Sequence, residues 1–141
     1  METTENGPQN KDLTLRVASS IPPGQGVQDK WNITTASDGS TWWYMYTGGN
    51  QGQGQNQFTV GSGNTETFTV DFHQQSSDFR MLAYVNKSSP TDLSGEITTD
   101  ELATVTDSCD NVGDYYWGLL VYHKDTPGVT IPCDPITRNR A

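Results

Sequence analysis

Thr67-Phe68-Thr69-Val70-Asp71-Phe72 alternates without a break, with Phe68, Val70 and Phe72 on one side and Thr67, Thr69 and Asp71 on the other. A period of two is that of a β-strand with one buried face, because successive side chains leave the backbone on opposite sides. The same period recurs outward in both directions. Leu13, Leu15 and Val17 alternate with Thr14 and Arg16, and Trp31 and Ile33 begin a second strand. Thr41 to Tyr46 places Trp42, Tyr44 and Tyr46 on one face and Trp43 and Met45 on the other. Phe58 and Val60 mark a fourth strand. Phe79, Met81, Ala83 and Val85 follow, then Tyr115, Trp117, Leu119 and Val121, and a last strand near Val129 to Ile131.

The breaks between these segments carry turn chemistry. Pro22-Pro23-Gly24, Asp38-Gly39, Gly61-Ser62-Gly63-Asn64 and Thr126-Pro127-Gly128 supply fixed or positive φ where strands reverse. Short strands at this spacing predict an all-β fold, a mostly antiparallel β-sandwich with at most one short helix. The helix is expected at Ser94 to Thr104, where Ile97 and Leu102 lie near one side. Residues 1–11 read as a disordered polar tail, 12–135 as a single domain and 136–141 as a C-terminal tail. The alternation Gly49-Asn50-Gln51-Gly52-Gln53-Gly54-Gln55 has no apolar side chain to pack and reads as a solvated loop.

Composition narrows the functional classes. The chain has 141 residues, enough for one domain, but only 32% are hydrophobic and 18% charged. Eight Lys plus Arg against 17 Asp plus Glu leave a net charge of −9. A nucleic-acid partner is not expected, since tracking phosphates needs a basic face. The longest apolar run, Gly118 to Tyr122, is far shorter than the roughly 20 residues of a membrane-spanning helix. Met1 to Lys11 lacks the apolar stretch of a signal peptide, which suggests a cytoplasmic protein, one released without a classical signal, or an excised domain. Cys109 and Cys133 form no metal motif; they are either one disulfide or two independent thiols, the latter favoured by the missing signal.

Enzyme signatures are scarce, and no catalytic activity or cofactor is expected. His73 and His123 are the only imidazoles, with no Gly-x-Ser-x-Gly elbow, His-Glu-x-x-His pair or phosphate-binding glycine loop. Seven carboxylates occur from Asp92 to Asp114 with no Lys or Arg among them. Such runs are usually a solvated face, but Asp107, Asp110 and Asp114 are a candidate calcium set, since that ion takes oxygen ligands. The aromatic groups say more. Trp42-Trp43-Tyr44 and Tyr115-Tyr116-Trp117 place rings on both faces of two strands, so Trp43 or Tyr116 either faces solvent or covers a second layer. Exposed rings among Asn, Gln and Asp suit a carbohydrate site: rings stack on sugar C–H faces and amides or carboxylates take hydroxyl pairs.

Gly48-Gly49, the polar stretch to Phe58, Gly63-Asn64-Thr65, Phe68-Thr69-Val70-Asp71-Phe72 and Phe79 to Asn86 together resemble the fungal fruit-body lectins. Asp38-Gly39-Ser40-Thr41-Trp42 is similar to that family's Asn-Gly-Gly-Thr-Trp turn, and the spacing from Asn111 to Trp117 to its final Asn-to-Phe spacing. The resemblance implies the actinoporin-like sandwich and metal-free binding of galactoside, GalNAc or GlcNAc-type glycans. Carried over, the sugar contacts are Asp38 and Gly39, Asn50 and Gln51, and His73, Gln74 and Gln75, with Trp43 or Tyr44 as stacking platform. The family's sugar-contacting Arg has no counterpart in Ser94 to Thr106, and Met81 stands where an aspartate is expected. One such site binds weakly, so a homo-oligomer supplying avidity is expected. The fold also hosts pore formers, but Pro8 and the polar residues 1–12 provide no inserting helix, so reversible headgroup contact without membrane insertion is expected. A different class remains: the protruding domain of a small icosahedral virus capsid, which would place the chain on a virion surface.

Overall fold

The computed structural model describes residues 11–22 and 31–141. The tail expected over 1–11, apart from Lys11, and the turn residues Pro23 and Gly24 lie outside the described residues. Eleven strands follow among the described residues: β1 (Leu13–Ala18), β2 (Asn32–Thr35), β3 (Thr41–Gly48), β4 (Asn56–Thr59), β5 (Glu66–Phe72), β6 (Phe79–Asn86), β7 (Leu93–Thr99), β8 (Leu102–Asp107), β9 (Gly113–His123), β10 (Ile131–Cys133) and β11 (Ile136–Arg140). The one helical element among them is a single 3₁₀ turn, Gln74–Ser76. The expected all-β, sandwich-like architecture is what forms. One sheet runs β2-β3-β1-β5-β8-β7. In the other, β9 pairs with β6 on one side and with β10 and β11 on the other, and β4 lies beyond β11.

Strand alternation delivers the core. Leu13, Leu15, Val17, Tyr44, Tyr46, Phe68, Val70, Ala103 and Val105 from the first sheet meet Met81, Tyr115, Trp117, Leu119, Val121 and Ile131 from the second. Trp117 is fully buried at the centre, with Phe68 at 5.9 Å and Tyr84 stacked on it at 5.7 Å. Burying each large apolar side chain contributes about 1.5–3 kcal/mol. Hydrogen bonds close the open sides: Ser37 N donates to Thr130 O at 2.9 Å, and Met81 N to Asp100 O at 2.6 Å.

Two expectations need correction. Ser94 to Thr104 is not a helix but the antiparallel pair β7 and β8, with Ile97 opposite Ala103. Gly95 is the reason: a Cβ there would overlap the Tyr84 ring from the opposite sheet, so a glycine interrupts the apolar alternation where the aromatic packs. Residues 136–141 are not a tail, since β11 pairs with both β4 and β9. Its inward residues are Thr137 and Asn139, polar side chains that carry no apolar pattern. Most strand pairs are antiparallel, as expected; β1 runs parallel to β5, and β4 parallel to β11.

Candidate functional site

The sequence-predicted sugar contacts fall at two ends of the first sheet. Leu13 pairs with Gly48, whereas Ala18 pairs with Trp43 and Leu15 with Phe72. Asn50 and Gln51, just past Gly48, are therefore at one end. Asp38, Gly39, Trp43, His73, Gln74 and Gln75 are towards the other. Even there β1 intervenes between β3 and β5, a separation of about 10 Å at the ordinary strand spacing.

Most of these side chains have local tasks. Asp38 Oδ1 accepts from Ser40 N at 2.9 Å and from the Ser40 hydroxyl, and these bonds hold its carboxyl below the usual range. Gly39 takes φ +87° in that turn, a conformation that suits glycine. His73 Nδ1 accepts from Gln75 N at 3.0 Å and so caps the 3₁₀ turn. Gln75 Oε1 accepts from the Arg16 guanidinium, which lies 5.3 Å from the centre of the buried Trp31 ring. Of the expected stacking rings, Tyr44 is turned into the core and Trp43 is half-buried on the outer face. Asn50 is the most committed: its amide accepts from Gln57 N and donates to Gln57 O, both at 2.9 Å. It occupies the free edge of β4 as a neighbouring strand would. A groove of about 240 Å³ beside Asp71 and Glu101 brings together only His73 and Gln74 of the predicted set.

A larger cleft, about 320 Å³, opens elsewhere, between the glycine-glutamine loop and the β10–β11 corner. Asn32, Gln53, Gln55, Tyr116 and Asp134 line it with the buried Tyr46. Each part is held in place. Tyr116 lies on the outward face of β9, 54% exposed, with its backbone N–H bonded to Ser88 Oγ at 2.8 Å. Two residues on, Gly118 leaves the space that the Asp134 carboxylate fills, since a Cβ there would overlap Asp134 Oδ1. Lys87 Nζ sits 3.1 Å from Asp134 Oδ2. Tyr46 donates to Cys133 O at 2.9 Å and Tyr44 to Asp134 O at 3.5 Å, so two phenols from the first sheet anchor the corner. Burial pushes both phenols above their ordinary pKa, keeping them as donors. Across the cleft, Gly54 packs on Tyr46 at φ +76°, where a Cβ would overlap the Tyr46 Cβ. Arg138 Nη1 donates to Gln55 Oε1 at 2.9 Å and leaves the NH₂ end of that amide for a ligand.

The cleft thus offers a ring, an acceptor and amide groups on one surface. Tyr116 and the Gly-Gln loop are conspicuous in sequence, but Asp134 carries no sequence signal, being a lone carboxylate before a proline.

The calcium candidates do not come together. Among the described residues no group of three or more His, Cys, Asp or Glu side chains is placed to hold a metal ion. Asp107 is buried, while Asp114 is paired with Arg140 at 2.8 Å and Arg138 at 3.6 Å. Cys109 and Cys133 are free and buried rather than bonded. Among the described residues no helix is long and apolar enough to cross a membrane. No protein-family model matches the chain, and no curated protein matches it in sequence.

Proposed function

We propose that this protein is a non-enzymatic glycan-binding module and that its site is the Tyr116 cleft. The observation that carries this reading is the exposed Tyr116 ring beside the Asp134 carboxylate and the Gln53 and Gln55 amides. An aromatic ring takes the apolar face of a pyranose, and fixed polar groups around it read hydroxyl positions. The Lys87 partner offsets the Asp134 charge, which suits an uncharged sugar better than a cationic ligand. The resemblance to fungal fruit-body lectins supplies the ligand class, galactoside, GalNAc or GlcNAc-type glycans, and its actinoporin-like fold is kept as part of the same proposal. The contacts move from the Asp38 and His73 end to the Tyr116 side. A shallow site of this size binds weakly alone, so biological affinity would come from a homo-oligomer or a clustered ligand.

The test is a glycan array probed with the protein displayed multivalently, alongside Tyr116→Ala. Binding to neutral glycans that the substitution abolishes supports the reading. Silence across mammalian, fungal and bacterial glycans overturns the function, and undiminished binding by the variant overturns the site.

A further inference from the structure

Asp107 and Asn139 are both fully buried, and each ends in an oxygen without a hydrogen-bond partner, Asp107 Oδ2 and Asn139 Oδ1. Their other atoms meet: Asn139 Nδ2 donates to Asp107 Oδ1 at 2.8 Å. The contact spans the sandwich, since Asp107 ends β8 in the first sheet and Asn139 lies in β11 of the second. With Asp107 ionised, two acceptors and an unpaired charge would stand in the interior, and each unmet group there is costly. A carboxylic acid and a primary amide are complementary when the acid keeps its proton. The acid carbonyl accepts from the amide N–H, and the acid O–H donates to the amide oxygen. One proton then satisfies both orphaned atoms.

We propose that Asp107 is a neutral carboxylic acid in the folded protein at neutral pH, its Oδ2–H donating to Asn139 Oδ1, so that an acid–amide pair clamps the two sheets. The charged groups around the pair are acidic. Asp92, before β7, shares the Asn139 amide at 3.2 Å, and Glu66 of β5 is the register partner of Asp107. Cys109 and Asp110 follow two and three residues on, and the neutral Tyr84 and Tyr115 phenols lie nearby from β6 and β9. The nearby cations are engaged elsewhere: Lys11 with Glu66, and Arg138 and Arg140 with Asp114. Burial and the Asp92 charge push the Asp107 carboxyl up, against the bonds from Asn139 and Cys109. Asp92 is not the protonated member. Its oxygens accept from Asp110 N, Asn111 N, Asn111 Nδ2 and Asn139 Nδ2, a full set for a carboxylate.

The consequence is a pH response of defined sign. A carboxyl whose folded pKa is raised stabilises the fold fully below its unfolded value, and that contribution is lost as pH rises through the folded pKa. Asp107→Asn reproduces the neutral acid, with an NH₂ in place of the O–H facing Asn139 Oδ1. The variant is expected to melt above the wild type at pH 7, with the gap closing towards pH 4 and widening as pH rises. In the wild type, the Asp107 carboxyl ¹³C shift is expected to show no titration near the ordinary Asp value of about 3.9. A carboxyl that titrates anywhere below pH 7 overturns the proposal, whether or not the variant folds. So does an Asp107→Asn protein that melts below the wild type at pH 7. Stabilisation of the wild type by calcium or sodium chloride, absent in the variant, would likewise overturn it by making Asp107 Oδ2 a cation ligand.

Discussion

Tyr46 donates its phenolic hydrogen to the carbonyl of Cys133 at 2.9 Å, reaching from β3 in the first sheet to β10 in the second. The bond is buried and lies one residue from Asp134, so it fixes both the packing of the sheets and the corner that carries the cleft carboxylate. Tyr46→Phe keeps the ring and removes the donor. It is expected to cost about 1–3 kcal/mol, the penalty of an unmet buried acceptor, and to weaken glycan capture. Urea unfolding and binding to an array-positive glycan measure the two effects.

Gly118→Ala separates the cleft from the fold. The new methyl would overlap only Asp134 Oδ1, the end of an exposed side chain that can turn away. The melting temperature is therefore expected to change little while glycan binding falls as far as in Asp134→Ala. Equal binding by wild type and Gly118→Ala would remove Asp134 from the site.

Gly54→Ala should do the reverse. The residue sits at φ +76° with the Tyr46 Cβ against it, where neither backbone nor neighbour can yield cheaply. A loss of about 2–4 kcal/mol is expected from left-handed strain and overpacking together. Chemical denaturation gives the value.

Asn50 supplies the two hydrogen bonds that cover the edge of β4 at Gln57. Asn50→Ala is expected to cost about 1–3 kcal/mol, at roughly 0.5–1.5 for each bond, and to raise aggregation by exposing a strand edge. Light scattering on heating, with the denaturation midpoint, checks both.

Acid should act through Asp92. Burial alone would raise its pKa, but the bonds from Asn111, Asp110 and Asn139 outweigh it and hold the carboxyl below the ordinary value. A lowered folded pKa means that stability is present above the unfolded value and lost as pH falls through the folded one. Asp92→Asn is expected to be destabilised most at pH 7, with the difference shrinking towards pH 2. That is opposite in sign to the response of Asp107→Asn, and melting both variants across pH distinguishes them.

Strand identity in this protein was legible in most segments whose apolar side chains face inward, but not in β7 and β8, although Leu93, Ala103 and Val105 are buried there. Phe68, Val70 and Phe72, or Tyr115, Trp117 and Leu119, declare their face because burial of oil and strand period coincide. β11 was illegible because its inward residues are Thr137, bonded to Trp117 Nε1 at 3.1 Å, and Asn139, bonded to Asp107. A polar residue that finds its partner only after folding looks like a surface residue before it. Gly95 misled for a related reason, since the Tyr84 ring that fills its place belongs to the other sheet.

The candidate site divides in the same way. Local chemistry made Asp38-Gly39 a turn, the Gly-Gln run a loop and Tyr116 a candidate for solvent exposure, all within a few residues of chain. Only the tertiary structure brought Gln53, Tyr116 and Asp134 to one cleft, and only there does Asn50 cover the edge of β4 at Gln57. Side-chain alternation is dictated by the covalent geometry of neighbouring residues. Which polar groups share a cavity is settled by strand pairings between residues far apart in the chain, such as Ile136 with Tyr116, that no local period encodes.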